Sequence, residues 1–319
     1  MKKVLSTILS LAMVFAMSVT AFAATPEDIN ALKSGTATVA NEACEMLDTM
    51  PTTQTIATTE REMIEGMLED GSITRADLNQ EFSELAQEPV DELQEKGYTD
   101  TQISIITSYE EGEDAFNHIF NPNPYTRAAA QSGAEVTFRY GLAGSNTRKS
   151  LTIAYDMMWS ECPMFTFTDS FGIGWITADS GSYEIVTKTD SAAAQVQYYN
   201  PSTETYANLY RDVTMDKSAN GVVVGTPIMG SASGNYGKHI SGVTKVSTQS
   251  GSYNIDTIHL FVAYAHTTLA FTFDWEVILE WEKVSAAISF IPRPRQEIIA
   301  QGDHTFRYNS QSIITADNV

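Results

Sequence analysis

The spacing of apolar positions changes once along the chain. Before Thr126 it is helical. Met63, Ile64, Met67 and Leu68 recur at three- and four-residue intervals, as do Leu78, Phe82 and Leu85, then Val90 and Leu93 after Pro89. Gly71, Gly97 and Gly112 stand where helices would stop. Thr74 with Asp77, and Thr99 with Gln102, have the form of N-terminal caps ahead of the next apolar stripes. Thr25-Pro26-Glu27-Asp28 reads as another helix start. The pattern predicts three to five short helices.

Asn121-Pro122-Asn123-Pro124 interrupts any helix, and beyond it the period becomes two. Leu151, Ile153, Tyr155, Met157 and Trp159 alternate with wetter positions. So do Phe271, Phe273, Trp275, Val277, Leu279 and Trp281, whose intervening residues include Asp274, Glu276, Glu280 and Glu282. Shorter runs at 135–140, 183–189, 194–199, 255–264 and 304–308 have similar composition. The expectation is an α+β chain in which an acidic helical region precedes an antiparallel β-sandwich of seven to ten strands, with a partly closed β-barrel as the alternative. All four tryptophans, and the methionines outside the leader, Met158 among them, are expected in the core.

Two short similarities bear on the strands. Ser180–Thr187 matches Ser250–Thr257 at six of eight positions, which suggests one turn-into-strand solution used twice. Thr137-Phe138-Arg139-Tyr140 recurs as Thr305-Phe306-Arg307-Tyr308 and suggests the first and last strands of the sandwich.

The 319 residues carry a formal net charge of −21, which argues against nucleic acid or anionic lipid as partners. The charge is uneven. Residues 24–125 hold 22 acids and 4 bases, and residues 126–319 hold 18 acids and 13 bases. Ahead of both, Lys2 and Lys3, an uncharged apolar run and Ala21-Phe22-Ala23 form a secretory signal with cleavage expected after Ala23. The chain therefore divides into 1–23 as signal peptide, 24–125 as acidic helical region and 126–319 as sandwich. No later run is apolar and long enough to span a membrane as a helix.

Candidate chemistry is sparse. Asp70–Asp77 resembles half of a calcium loop, but Gly66 and Leu68 offer no side-chain oxygen at the earlier ligand positions, so a helix stop and restart is the better reading. Gly230–Gly234 has Ala232 where a nucleophilic serine would stand. His118, His239, His259, His266 and His304 form no metal or catalytic spacing and read as strand partners or surface groups. No catalytic residue, metal or cofactor is expected. A hydrolase with dispersed carboxylates remains an alternative, with Asp156, Asp169, Asp274 and Glu276 as its candidates. Cys44 and Cys162 could bond after export and would tie the two regions together.

Tyr198, Tyr199, Tyr206 and Tyr210 flank Asn200-Pro201 among polar neighbours and are the candidate ligand-binding residues. The function expected is non-enzymatic binding of a glycan or a cell-surface protein outside the cell. The first alternative to it, ahead of the hydrolase, is a membrane-active, pore-forming protein with 218–252 as the inserting segment. Residues 218–252 contain no acid, and 19 of the 35 are Gly, Ser, Thr or Ala, a composition that suits an inserting segment or hairpins covering a sheet edge.

Overall fold

The computed structural model describes residues 38–71, 73–121, 134–144, 147–165, 168–212, 215–217, 220–227, 234–267, 296–308 and 314–317. The signal segment and its cleavage site, the Asn-Pro linker, most of the Gly230–Gly234 motif and the alternating run with Trp275 and Trp281 lie outside these residues.

The described chain is a mixed α+β fold. Six helices occupy the N-terminal part: α1 (Thr38–Thr49), α2 (Glu60–Asp70), α3 (Arg75–Ala86), α4 (Val90–Glu95), α5 (Asp100–Thr107) and α6 (Ala115–Phe120). The boundaries follow the expected punctuation. Gly71 closes α2 in the left-handed conformation at φ 81°, where a Cβ would be strained. Thr74 and Asp77 form a reciprocal cap for α3, and Thr99 and Gln102 do the same for α5. The helix stop and restart thus accounts for Asp70–Asp77.

Helices α2 to α6 close around one apolar cluster that includes Ile64, Met67, Leu78, Phe82, Ile106, Ile119 and Phe120. Met164 and Phe165, which follow the third strand, join the same cluster. The buried carboxylate of Glu60 accepts from the amides of Met164 at 2.8 Å and Phe165 at 2.9 Å. Gln102 donates to the Cys162 carbonyl at 2.6 Å and Tyr98 to that of Met164 at 2.8 Å. Residues 162–165 are thereby held among the helices by hydrogen bonds that burial makes costly to lose.

Among the described residues, twelve strands form two antiparallel sheets. They are β1 (Gln54–Thr59), β2 (Glu135–Gly144), β3 (Ser150–Trp159), β4 (Thr168–Ala178), β5 (Thr187–Asn200), β6 (Thr205–Asp212), β7 (Met215–Lys217), β8 (Gly221–Pro227), β9 (Tyr236–Thr248), β10 (Thr257–Thr267), β11 (Gln296–Tyr308) and β12 (Ile314–Asp317). One sheet has the order β1-β2-β3-β9-β5-β6, the other β12-β11-β10-β4-β8-β7. They pack as a sandwich, and neither closes into a barrel. The core between them contains Phe138, Tyr140, Tyr155, Trp159, Phe171, Trp175, Tyr264 and Phe306. Phe138 and Phe171 stack across it, with ring centroids 5.6 Å apart. Trp159 and Trp175 are fully buried, Trp159 as the alternation of residues 151–159 required.

Several expectations need correction. Residues 54–59, inside the segment read as helical, form an edge strand. Six residues with alternating exposure pair along β2, and only the presence of β2 makes them a strand. The Thr-Phe-Arg-Tyr repeat does not mark the first and last strands. It lies on β2 and β11, each one place in from a sheet edge capped by β1 or β12. Met158 is 45% exposed, because it falls on the wetter phase of β3. The described residues of 218–252 form neither a single hairpin nor an edge cover. β8 belongs to one sheet, while β9 is an interior strand of the other, paired with β3 on one side and β5 on the other. Insertion of this segment into a membrane would first break both ladders. The paired Ser-Gly-Ser-Tyr segments do behave alike. Each leads into a strand, at Thr187 and at Thr257, and each buries its isoleucine, Ile185 or Ile255.

Candidate functional site

Two groups of polar and aromatic side chains gather on the β1-β2-β3-β9-β5-β6 sheet. The first contains tyrosines singled out in the sequence. β5 and β6 form a hairpin in which Tyr199 pairs with Tyr206 and Asn200 with Thr205. Asn200 Oδ1 accepts from the Thr203 amide at 3.0 Å and shapes the turn. The Tyr199 and Tyr206 rings meet edge to face at 5.1 Å, and Tyr199 meets Tyr236 of β9 at 5.9 Å. Tyr206 is 42% exposed. Tyr198 and Tyr199 both pack, partly buried, against the sandwich core. Tyr210 pairs with Gln197 on β6, and its side chain is outside the described set.

Lys238 completes this patch. Gln197 pairs with His239 and Tyr198 with Gly237, so Lys238 is an extra residue in the β9 ladder. Such a bulge re-aims a side chain. Here it brings Nζ to 4.3 Å from the Tyr199 ring centroid and 5.8 Å from that of Tyr206, within range of the ring quadrupoles. Burial lowers the pKa of Lys238, against the opposing pull of Glu161. Burial and the charge of Glu60 raise that of Glu161. The result is an aromatic surface with a partly desolvated cation beside it. Sequence reading missed Lys238, although it is one of only two basic residues in the acid-free stretch.

The second group lies under α1, which packs across β9, β3 and β5. Arg139 on β2, Asp156 on β3, Ser241 on β9 and Gln195 on β5 are successive cross-strand partners, so they form one row on one face. Gln195 accepts from the Ala40 amide at 3.1 Å and anchors the start of α1. Arg139 holds both oxygens of Asp156 and also reaches Asp48 at 2.7 Å. Cys44, from α1, places its sulfur 3.9 Å from Asp156 Oδ2 and 4.0 Å from His239 Nε2, which is 3.4 Å from the same carboxylate oxygen.

The electrostatics of this row are coupled. Burial opposes charge on Asp156, but hydrogen bonds from His239 and Arg139 prevail and lower its pKa. Burial likewise opposes the His239 imidazolium. Its hydrogen bonds to Asp156 and Cys44, with the nearby negative charge, push its pKa up to about 9.

The remaining predicted residues separate. Cys44 and Cys162, considered above as a possible disulfide, are both free thiols. Cys44 lies over the outer face of its sheet, whereas Cys162 is in the sandwich core, where burial raises its pKa. Asp156 and Asp169 are buried, not solvated. They also sit on different sheets, Asp169 accepting from Tyr264 Oη. They do not face one another as a hydrolytic pair, and Asp274 and Glu276 lie outside the described residues. His118, His259 and His304 have ordinary structural partners in Glu113, Thr305 and Tyr140.

No protein-family model matches the sequence, and no curated protein matches it significantly. Among solved structures, the chain is similar to the collagen-binding domain from a Staphylococcus aureus adhesin. The two are 9% identical, the match covers 52% of this chain and 93% of that one, and the TM-score is 0.26. For the collagen-binding subdomain of the Enterococcus faecalis surface protein ACE, identity is 10%, coverage 51% and 87%, and TM-score 0.23. For a structure from work on adhesion by the Fap1 fimbriae of Streptococcus parasanguinis, the values are 8%, 56% and 82%, and 0.24. No described helix is long and apolar enough to cross a membrane.

Proposed function

We propose that this is an exported, non-catalytic binding protein that acts at the cell surface or beyond it, with Tyr199, Tyr206 and Lys238 as contacts for a glycan. The observation that carries the reading is the exposed Tyr206 ring beside Tyr199, with the Lys238 ammonium over both. Aromatic faces pack against the C–H surface of a sugar, and a phenol also offers a hydroxyl. A cation short of water gains from meeting an anionic group, so acidic sugars are the preferred class. The signal-like N-terminus supports the location.

The test is binding of the exported protein to an array of neutral and acidic glycans, followed by titration of the best binder against Tyr206→Ala and Lys238→Ala. Loss of at least about tenfold in affinity in each variant, with an unchanged thermal midpoint, supports the reading. Equal binding by wild type and both variants overturns the assignment of the patch. Turnover of the bound glycan overturns the non-catalytic reading.

A further inference from the structure

We infer that Cys44, Asp156 and His239 form a binding site for a divalent transition ion of the zinc class, set between helix α1 and the outer face of the sheet. The site is separate from the tyrosine patch and does not depend on it.

The geometry comes first. A tetrahedral ion bound at about 2.0–2.3 Å spaces its nitrogen, oxygen and sulfur ligands about 3.3–3.6 Å apart. The three ligand atoms here are separated by 3.4, 3.9 and 4.0 Å. All three edges are therefore within about half an ångström of the required triangle. Closing the two longer ones needs only a small approach of Cys44 toward the sheet. Thiolate, imidazole and carboxylate together suit zinc-class ions and disfavour calcium or magnesium, which take oxygen alone.

The surroundings are those of a supported site. Asp156 Oδ2 faces Cys44 and His239 and also accepts from Arg139 Nη2, while Oδ1 accepts from Arg139 Nε at 3.1 Å, and Asp48 accepts from Arg139 at 2.7 Å. A carboxylate has lone pairs enough for both partners, and fixing a ligand in this way is the ordinary role of outer hydrogen bonds. Binding would release the Cys44 thiol proton and the His239 imidazolium proton to solvent, after which the Asp48, Arg139, Asp156 and Cys44 charges sum to the opposite of a divalent ion.

A second observation points to an occupant. Ser241 is the direct cross-strand partner of Asp156, two residues beyond His239 on the same face, and is completely buried. Its hydroxyl has no hydrogen-bond partner. A buried hydroxyl left unpaired costs about 1–3 kcal/mol, and a water in the fourth position of the ion would supply the missing partner. Cys44 and His239 are both partly accessible, which leaves a path for the ion.

The experiment uses the full exported protein freed of metal by chelation under reducing conditions, then titrated with Zn2+ and separately with Co2+. The expected result is one ion per chain and, with Co2+, a near-ultraviolet sulfur-to-cobalt charge-transfer band. Cys44→Ser abolishes that band, and His239→Ala weakens Zn2+ at least about tenfold. Cys162→Ser, whose thiol is in the core away from the site, keeps both. Circular dichroism of every variant identifies any that fails to fold. If folded wild-type protein shows no charge-transfer band, or if folded Cys44→Ser and His239→Ala bind Zn2+ as wild type does, the site does not exist. Loss of glycan binding in the Tyr206 variant has no bearing on this result, so the two proposals fail separately.

Discussion

Tyr155 and Gly242 face each other across β3 and β9, and the contact between them makes a sharp prediction. The Tyr155 ring is buried and lies against Phe171 on its other side, with centroids 5.4 Å apart. A Cβ added to Gly242 would fall 2.6 Å from Tyr155 Cε2 and closer still to Cζ and Oη. Real Cβ atoms essentially never approach so near, and the ring has little room to retreat. Gly242→Ala therefore overpacks the core, at a cost of about 1–3 kcal/mol. Gly251 provides the control. A Cβ there meets nothing within 4 Å, and its φ is not in the left-handed region. Gly251→Ala should then be neutral or stabilise by about 0.4–1 kcal/mol, through loss of freedom in the unfolded chain. The same chemical change is thus expected to have opposite signs at two positions of one protein. Urea denaturation followed by tryptophan fluorescence reads both, and each kcal/mol corresponds to roughly 2–4 °C in a thermal melt. In a Tyr155→Leu background the cost of Gly242→Ala should shrink, with a coupling of about 0.5–3 kcal/mol. If Gly242→Ala is as stable as Gly251→Ala, the tight ring contact is wrong and so is the pairing of β3 with β9 in this register.

Other consequences can be checked in the same way. Arg139→Met removes the hydrogen bonds that hold the buried Asp156 carboxylate and should destabilise by roughly 2–3 kcal/mol, most of it recovered in Arg139→Met/Asp156→Leu. Equal stability of the single variant and wild type would contradict this. Trp175 is fully buried and its indole N–H donates to Thr187 Oγ1 at 3.1 Å, so Trp175→Ala should lose about 3–5 kcal/mol in denaturant titrations. The Glu62 carboxylate caps α2 by accepting from the Thr59 amide and hydroxyl, which lowers its pKa. Its contribution is complete above the unfolded value of about 4.3 and is lost as pH falls through the folded value. The stability gap between wild type and Glu62→Gln should therefore be widest above about pH 5 and close toward pH 3, and a gap independent of pH would refute the assignment.

Local pattern was enough to determine much of this molecule. The switch from helical to alternating spacing divides helices from most of the strands, because each period reports which side of an element must leave water. The caps at Thr74 and Thr99 and the stop at Gly71 were readable because they satisfy or release backbone groups within one turn. Trp159 followed from alternation alone. The two isoleucines of the repeated Ser-Gly-Ser-Tyr segments share a fate for the same local reason. Tyr199 and Tyr206 were singled out by their polar neighbours, and the β5–β6 hairpin brings their rings together. Tyr198, one residue away, is partly buried against the sandwich core, as Tyr199 also is.

What tertiary structure decided is partnership. Alternation shows that a strand buries one face, but not which strand lies beside it. Residues 54–59 became a strand only through β2, and the acid-free segment was divided between two sheets, with β9 placed inside one of them. Its lack of acids fits that position, since a strand with a ladder on each side and a helix over one face leaves few sites where a carboxylate stays hydrated. Asp156 is tolerated there because Arg139, 17 positions away, reaches it. Cys44, Asp156 and His239 have no spacing that sequence reading could recognise, being 112 and 83 residues from one another along the chain. They meet because a helix from the N-terminal region lies across strands from two distant segments, and packing alone brings those side chains to one point.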